Sequence, residues 1–297
     1  MFVGSYGSPG LSVVTPELTV GYVLPVADVS WLVADAGVLY ATSEHAEGTV
    51  TVVENLAVQR VLPTLGDEPT HLSRSADGRF LLVANHGSAS VAVLPVGGGP
   101  GSTVDFPAGA RPHQVLVDPS GAWVLVVALG LDLVLVYRLA GGTLVEHGRV
   151  NVGPGPRHLV WHPDGVRCFV VCENAPVVVG CSWDAGRGEL TVERSVRIAD
   201  GGHPGEGVVP GDGRFVYVTN RGDNTIVTLD PGLDVVDTVG CGGDWPRHAA
   251  LDAGERWLYV ANQRSGEVSR LPRDPATGRL SESTGGPKVD GVAVVLP

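Results

Sequence analysis

In this 297-residue sequence, ionisable side chains recur directly behind a proline: Pro112-His-Gln, Pro156-Arg-His, Pro204-Gly-Glu and Pro246-Arg-His. After each phrase a Val-rich run ends on further polar residues, among them Glu173/Asn174 and Asn220/Arg221. Arg, Glu and His are the types that bind an anion, stabilise an oxyanion and move a proton. His113, Arg157, Glu173 and Arg221, together with His158, Glu206, Arg247 and His248, are therefore candidate residues of a catalytic or substrate-binding site.

Each assignment has a structural alternative. His71 and His248 recur at one position of a repeated phrase, where a histidine fixes a turn or packs. Arg157, Glu173 and Arg221 could form an ion-pair network, although burying such charges unpaired would be costly. Trp245 is read as packing between repeats, and Asp77, Asp164, Asp212 and Asp252 are assigned to turns.

The elements that must position these groups are short strands. Pro69-Thr-His-Leu-Ser-Arg-Ser-Ala-Asp-Gly-Arg-Phe-Leu-Leu-Val-Ala-Asn is an apolar strand, a turn and a second strand, a hairpin phrase found in six copies. Their turn glycines, Gly37, Gly78, Gly121, Gly165, Gly213 and Gly254, are spaced by 41, 43, 44, 48 and 41 residues. Such a period suits one four-stranded propeller blade. The C-terminal Pro287-Lys-Val-Asp-Gly-Val-Ala-Val-Val-Leu-Pro297 supplies a first strand without a second, and Phe2-Val-Gly-Ser-Tyr6 supplies the second. The expected fold is all-β: a seven-bladed β-propeller of four-stranded antiparallel blades in one domain, 1–297, whose N-terminal strands close the C-terminal blade. In an antiparallel hairpin the start of the first strand and the end of the second share an edge. All the polar pairs should then line one mouth of the central channel, including Glu44/His45, Asn85/His86, Ala128/Leu129 and Asn262/Gln263.

Composition narrows the partners. The formal charge of −12 argues against nucleic acid and anionic membranes, which select clustered Lys and Arg, so a mouth with Arg157, Arg221 and Arg247 is read as a site for a small anionic substrate. Lys288 is the single lysine, read as a compositional habit. The four cysteines form no C-x-x-C or zinc spacing and are expected to be buried thiols. No run reaches 18 apolar residues, and Met1-Phe-Val-Gly-Ser-Tyr-Gly has no basic or apolar leader region, so a cytoplasmic location is expected. The sequence lacks G-x-S-x-G, H-E-x-x-H and a P-loop, so no cofactor and no metal are assigned.

Gly155-Pro-Arg-His-Leu-Val-Trp-His-Pro-Asp-Gly165, Val170-Val-Cys-Glu-Asn174, Asp212-Gly-Arg-Phe-Val-Tyr-Val-Thr-Asn-Arg-Gly222 and Arg273-Asp-Pro-Ala-Thr-Gly-Arg-Leu280 carry a resemblance over nearly the whole chain. The sequence resembles the lactonase family of seven-bladed propellers, which includes propeller-type 6-phosphogluconolactonases and fungal carboxy-cis,cis-muconate lactonizing enzymes. The resemblance implies an active-site His at His113, arginines at Arg157 and Arg221, and the Glu at Glu173. The sequence departs from the family at Arg111 (often His), Ala128 (often Asp), Asn174 (often Leu) and His86 (often aromatic).

Three functions follow as expectations. The first is hydrolysis of a small anionic lactone of sugar or sugar-phosphate type, with the arginines on the oxyanion and Glu173 or His113 activating water. The second runs the chemistry as a lactonizing cycloisomerase or biosynthetic cyclase on the same four residues. The third is a non-catalytic propeller that binds a ligand or protein.

Overall fold

A computed structural model describes residues 1–7, 10–15 and 17–297. Seven antiparallel sheets follow one another around a ring. Blades 1 to 6 cover residues 29–63, 69–105, 112–151, 156–197, 203–240 and 246–272. The seventh takes its innermost strand, Val292–Leu296, from the C-terminus and its next three, Phe2–Ser5, Gly10–Val14 and Val20–Pro25, from the N-terminus. Phe2, Val3 and Gly4 pair with Leu296, Val295 and Val294, so the two chain ends are locked in one sheet. Closure removes the open edges that an unfinished ring would expose.

Six sheets have four strands and blade 6 has three. Gly285, Gly286 and Pro287 break up a regular ladder there. That segment still lies along the outer edge of blade 6, where Val268 donates to Pro287 and Thr284 to Arg270 through the backbone.

Strands alternate two apolar faces because each blade packs on both neighbours. The buried side chains accordingly fall into seven clusters, one at each blade-to-blade contact, such as Leu125, Val127 and Trp123 of blade 3 against Val170, Cys172 and Trp183 of blade 4. All four cysteines are buried free thiols.

The turn glycines hold at Gly37, Gly78, Gly121, Gly165 and Gly213, all with positive φ. In blade 6 the left-handed slot belongs to Glu255 (φ 52°) and not to Gly254. Asp252 aligns with Asp118 of blade 3, which places the slot three residues on. Glu255 is held there because its carboxylate accepts the backbone N–H of Gly211 at 2.6 Å. The turn aspartates do what their positions imply: Asp77, Asp164, Asp212 and Asp252 each accept backbone N–H groups of their own turn.

Candidate functional site

Each innermost strand begins with the same backbone device. The residue before it is left-handed in all seven blades: Asp28, Glu68, Arg111, Gly155, Gly202, Trp245 and Gly291. A register shift follows at once, between Val29 and Trp31, Pro69 and His71, Pro112 and Gln114, Pro156 and His158, Pro204 and Gly207, and Pro246 and His248. The skipped residue is a β-bulge, which re-aims a side chain out of the ladder. Ser30, Thr70, His113, Arg157 and Arg247 occupy this slot, and Gly205 fills it in blade 5.

The second strands end with a matching ring. Ser43, Asn85, Ala128, Cys172 and Asn262 pair opposite the first residue of their inner strands and Asn220 opposite the second, Pro204, so the rim residues that follow them are Glu44, His86, Leu129, Glu173, Arg221 and Gln263, with Tyr6 for the closing blade. Asn85, Asn220 and Asn262 are fully buried and donate to Thr64 O, Gly201 O and Ser269 Oγ, so this position stabilises structure. Ala128 shares that slot, which sets Leu129 in register with Glu173.

Bulge and rim meet at blades 4 and 5. Glu173 Oε2 lies 3.3 Å from Arg157 Nε and 3.0 Å from Arg221 Nη2. Arg157 donates from Nη1 to Gly205 O at 2.5 Å, and Arg221 donates from Nε to His203 O and from Nη2 to Pro204 O. Both guanidiniums are nearly covered (2% and 4% exposed), while the Glu173 side chain keeps 28% of its surface. Burial pushes the Glu173 carboxyl up, but Arg221 and Arg157 outweigh it and hold the group below the usual carboxylate range. Burial, with Arg221 and Arg247 nearby, opposes the charge of Arg157, and Glu173 supports it.

A second pole lies across blades 6, 7 and 1. Tyr6 Oη donates to Glu44 Oε2 at 2.5 Å, Arg247 Nη2 lies 3.4 Å from the same oxygen, and the Arg247 guanidinium stands 5.3 Å above the Tyr6 ring. The Glu44 side chain is 21% exposed. Burial raises its carboxyl pKa, against the pull of Arg247 and Tyr6.

Below the mouth the channel is filled by imidazoles around Trp31. His71, His248 and His158 stand 4.2, 5.0 and 5.3 Å from its ring, and His113 stands 5.0 Å from His158. His158 Nδ1–H donates to the Glu206 carboxylate at 2.8 Å, which leaves Nε2 as the acceptor facing Arg157 Nη1 at 3.4 Å. His248 Nε2 is 3.6 Å from Glu206. Burial lowers His71, His113 and His158 well below the ordinary histidine value and His248 to about 4, so all four are neutral. Burial raises the Glu206 carboxyl.

The eight residues singled out in the sequence thus converge on one end of the channel, in two layers. Arg157, Glu173, Arg221 and Arg247 carry its charge, with His113 in the same bulge slot as the two inner arginines. His158, Glu206 and His248 lie beneath, where they set the orientation of the groups above. Tyr6 follows the second strand of the closing blade, the position equivalent to Glu173, and the strand-end rule applied to Phe2–Tyr6 singles it out. Glu44 was read as a rim residue only; its equivalence to Glu173 in the strand register is the clue that singles it out. Trp245 lies between blades, with the Arg264 guanidinium 3.4 Å above its ring.

The sequence model described as "Lactonase, 7-bladed beta-propeller" matches residues 16–297. The chain belongs to this lactonase family. A 6-phosphogluconolactonase of Bacillus subtilis (strain 168) is 30% identical over 244 residues, 73% of this chain and 69% of that one. The lactonase-family ring also superimposes on the structure of a Pseudomonas aeruginosa periplasmic gluconolactonase with TM-score 0.84 and 27% identity, covering 99% and 97% of the two chains. A Lactobacillus plantarum protein shares the fold at TM-score 0.88 and 23% identity, covering 98% and 97%. No helix among the described residues of this lactonase-family chain is long and apolar enough to cross a membrane.

Proposed function

We propose that the mouth of this propeller opens a lactone ring of a small sugar acid, phosphorylated or not, by adding water. The observation that carries the reading is Glu173 held between Arg157 and Arg221 with an exposed oxygen edge. Two guanidiniums in an otherwise acidic molecule attract an anionic substrate and stabilise the oxyanion of the tetrahedral intermediate. Glu173 is a carboxylate at neutral pH and is the group that takes a proton from water. As a substrate anion shares the guanidiniums, their hold on Glu173 weakens and its basicity rises. His113, neutral in the adjacent bulge slot, orients the substrate through one ring nitrogen, its Nδ1 being buried. Family membership and the relative named 6-phosphogluconolactonase support the same reaction. The unpaired cysteines suit a reducing compartment, in keeping with a cytoplasmic location, and residues 1–297 act as one domain.

Purified protein should open 6-phosphogluconolactone or glucono-δ-lactone well above the spontaneous rate. Glu173→Gln should lower kcat by about 10²–10⁴, the contribution typical of a general base. Ring closure of an unsaturated dicarboxylate without water uptake, and no lactone opening, would point instead to the cycloisomerase.

A further inference from the structure

We propose that Glu44, held by Tyr6, is the second catalytic carboxyl of the mouth: the acid that protonates the ring oxygen as it leaves. This rests on the lactone-opening reading above. Glu44 and Glu173 occupy the same rim slot, three blades apart, and both keep an accessible edge, whereas Glu206 is buried below them. Their settings differ. Glu173 has two guanidiniums at 3.0 and 3.3 Å and so stays ionised. Glu44 has a single guanidinium, at 3.4 Å, and its Oε2 accepts from the Tyr6 phenol at 2.5 Å; these contacts orient it and favour its ionised form, but burial outweighs them, so with one guanidinium in place of two it holds a proton more readily than Glu173. Two carboxyls whose surroundings push their proton affinities apart divide into base and acid. The charged groups that act on Glu44 besides Tyr6 are Arg247, Arg157 and Glu68. Arg247 ties the poles together, since it pairs with Glu44 and adds to the field that keeps Glu173 ionised.

The step balances. Water attacks the carbonyl carbon and gives one proton to Glu173. The tetrahedral intermediate collapses, the bond from the carbonyl carbon to the ring oxygen breaks, and that oxygen leaves with the electron pair and takes the proton of Glu44. Proton exchange with solvent then returns Glu173 to carboxylate and Glu44 to acid. The sum is lactone plus water to hydroxy acid.

The test varies the leaving group. Glucono-δ-lactone expels an alkoxide, which needs an acid, while dihydrocoumarin expels a phenoxide of pKa about 10, which does not. Glu44→Gln keeps the acceptor for Tyr6 and should lower kcat on glucono-δ-lactone by about 10²–10⁴ while changing dihydrocoumarin by less than about threefold. Glu173→Gln should impair both substrates. Tyr6→Phe should lower only the gluconolactone rate, by a smaller factor, and thermal melts of all three variants establish that they fold. Equal loss on both lactones, or no loss on either, overturns the role of Glu44 while leaving lactone opening in place. If the wild-type protein opens none of 6-phosphogluconolactone, glucono-δ-lactone and dihydrocoumarin, the reaction itself falls and the acid falls with it.

Discussion

At the scale of single residues, Gly205 is the position where two functional arginines depend on a missing side chain. Its carbonyl accepts Arg157 Nη1, and a Cβ built on it would lie 2.8 Å from Thr219 Oγ1 and 2.9 Å from the carbonyl oxygen of Arg247. The second contact is to backbone of the next blade, so it cannot be relieved by a rotamer change. Gly205→Ala should therefore displace the Arg157 and Arg247 slots relative to one another. We expect KM for an anionic lactone to rise about tenfold, equivalent to about 1.4 kcal/mol of lost binding, with a folded protein by circular dichroism. An unchanged KM would mean that the site does not depend on this spacing.

At the scale of strands, the recurring left-handed residue and bulge convert a plain hairpin into a mouth. Arg111 carries this conformation at φ 48°, a geometry that favours glycine and that Gly155 and Gly291 adopt in blades 4 and 7. Arg111→Gly should raise stability by about 0.5–1 kcal/mol, net of the entropy glycine adds to the unfolded chain, and a lower melting temperature would refute the strain. The hairpins themselves were legible because a turn glycine punctuates every copy, a proline opens five of the six, and valine runs have no helical period. The bulge was not, since it is a property of pairing between two strands, invisible in either one. Glu255 escaped for a related reason: a carboxylate bond to Gly211 keeps a non-glycine residue in a glycine slot. Arg157, Glu173 and Arg221 could be found from strand ends, because their spacing alone sets the shared edge. Blade closure by the chain ends was legible too, and it places Tyr6 and Glu44 on neighbouring blades, but their hydrogen bond depends on side-chain reach across the two blades, which strand spacing does not set.

At the scale of the whole molecule, closing the ring creates an interior that each blade alone would lack. The innermost strands bring His71, His113, His158 and His248 into a plug around Trp31, out of water and neutral. Their folded-state pKa values lie below the ordinary 6.5, His248 at about 4. Between that range and 6.5 the unfolded chain binds protons that the folded ring refuses. Stability is therefore complete above about pH 6.5 and falls as pH drops, by about 1.4 kcal/mol per pH unit for each histidine once its unfolded form is fully charged. Ionised Glu173, held below its usual range, adds to the loss at the acid end. The raised carboxyls of Glu206 and Glu44 work the other way, because they bind a proton more readily in the folded ring, but they are two groups against four. The urea midpoint should be flat from pH 8 to 7 and fall steeply between pH 6 and 4.5. His248→Gln should make that fall shallower by about one proton's worth of slope, which separates the plug from general acid expansion of the ring. A midpoint unchanged down to pH 5 would mean that the imidazoles reach solvent and that the channel is open.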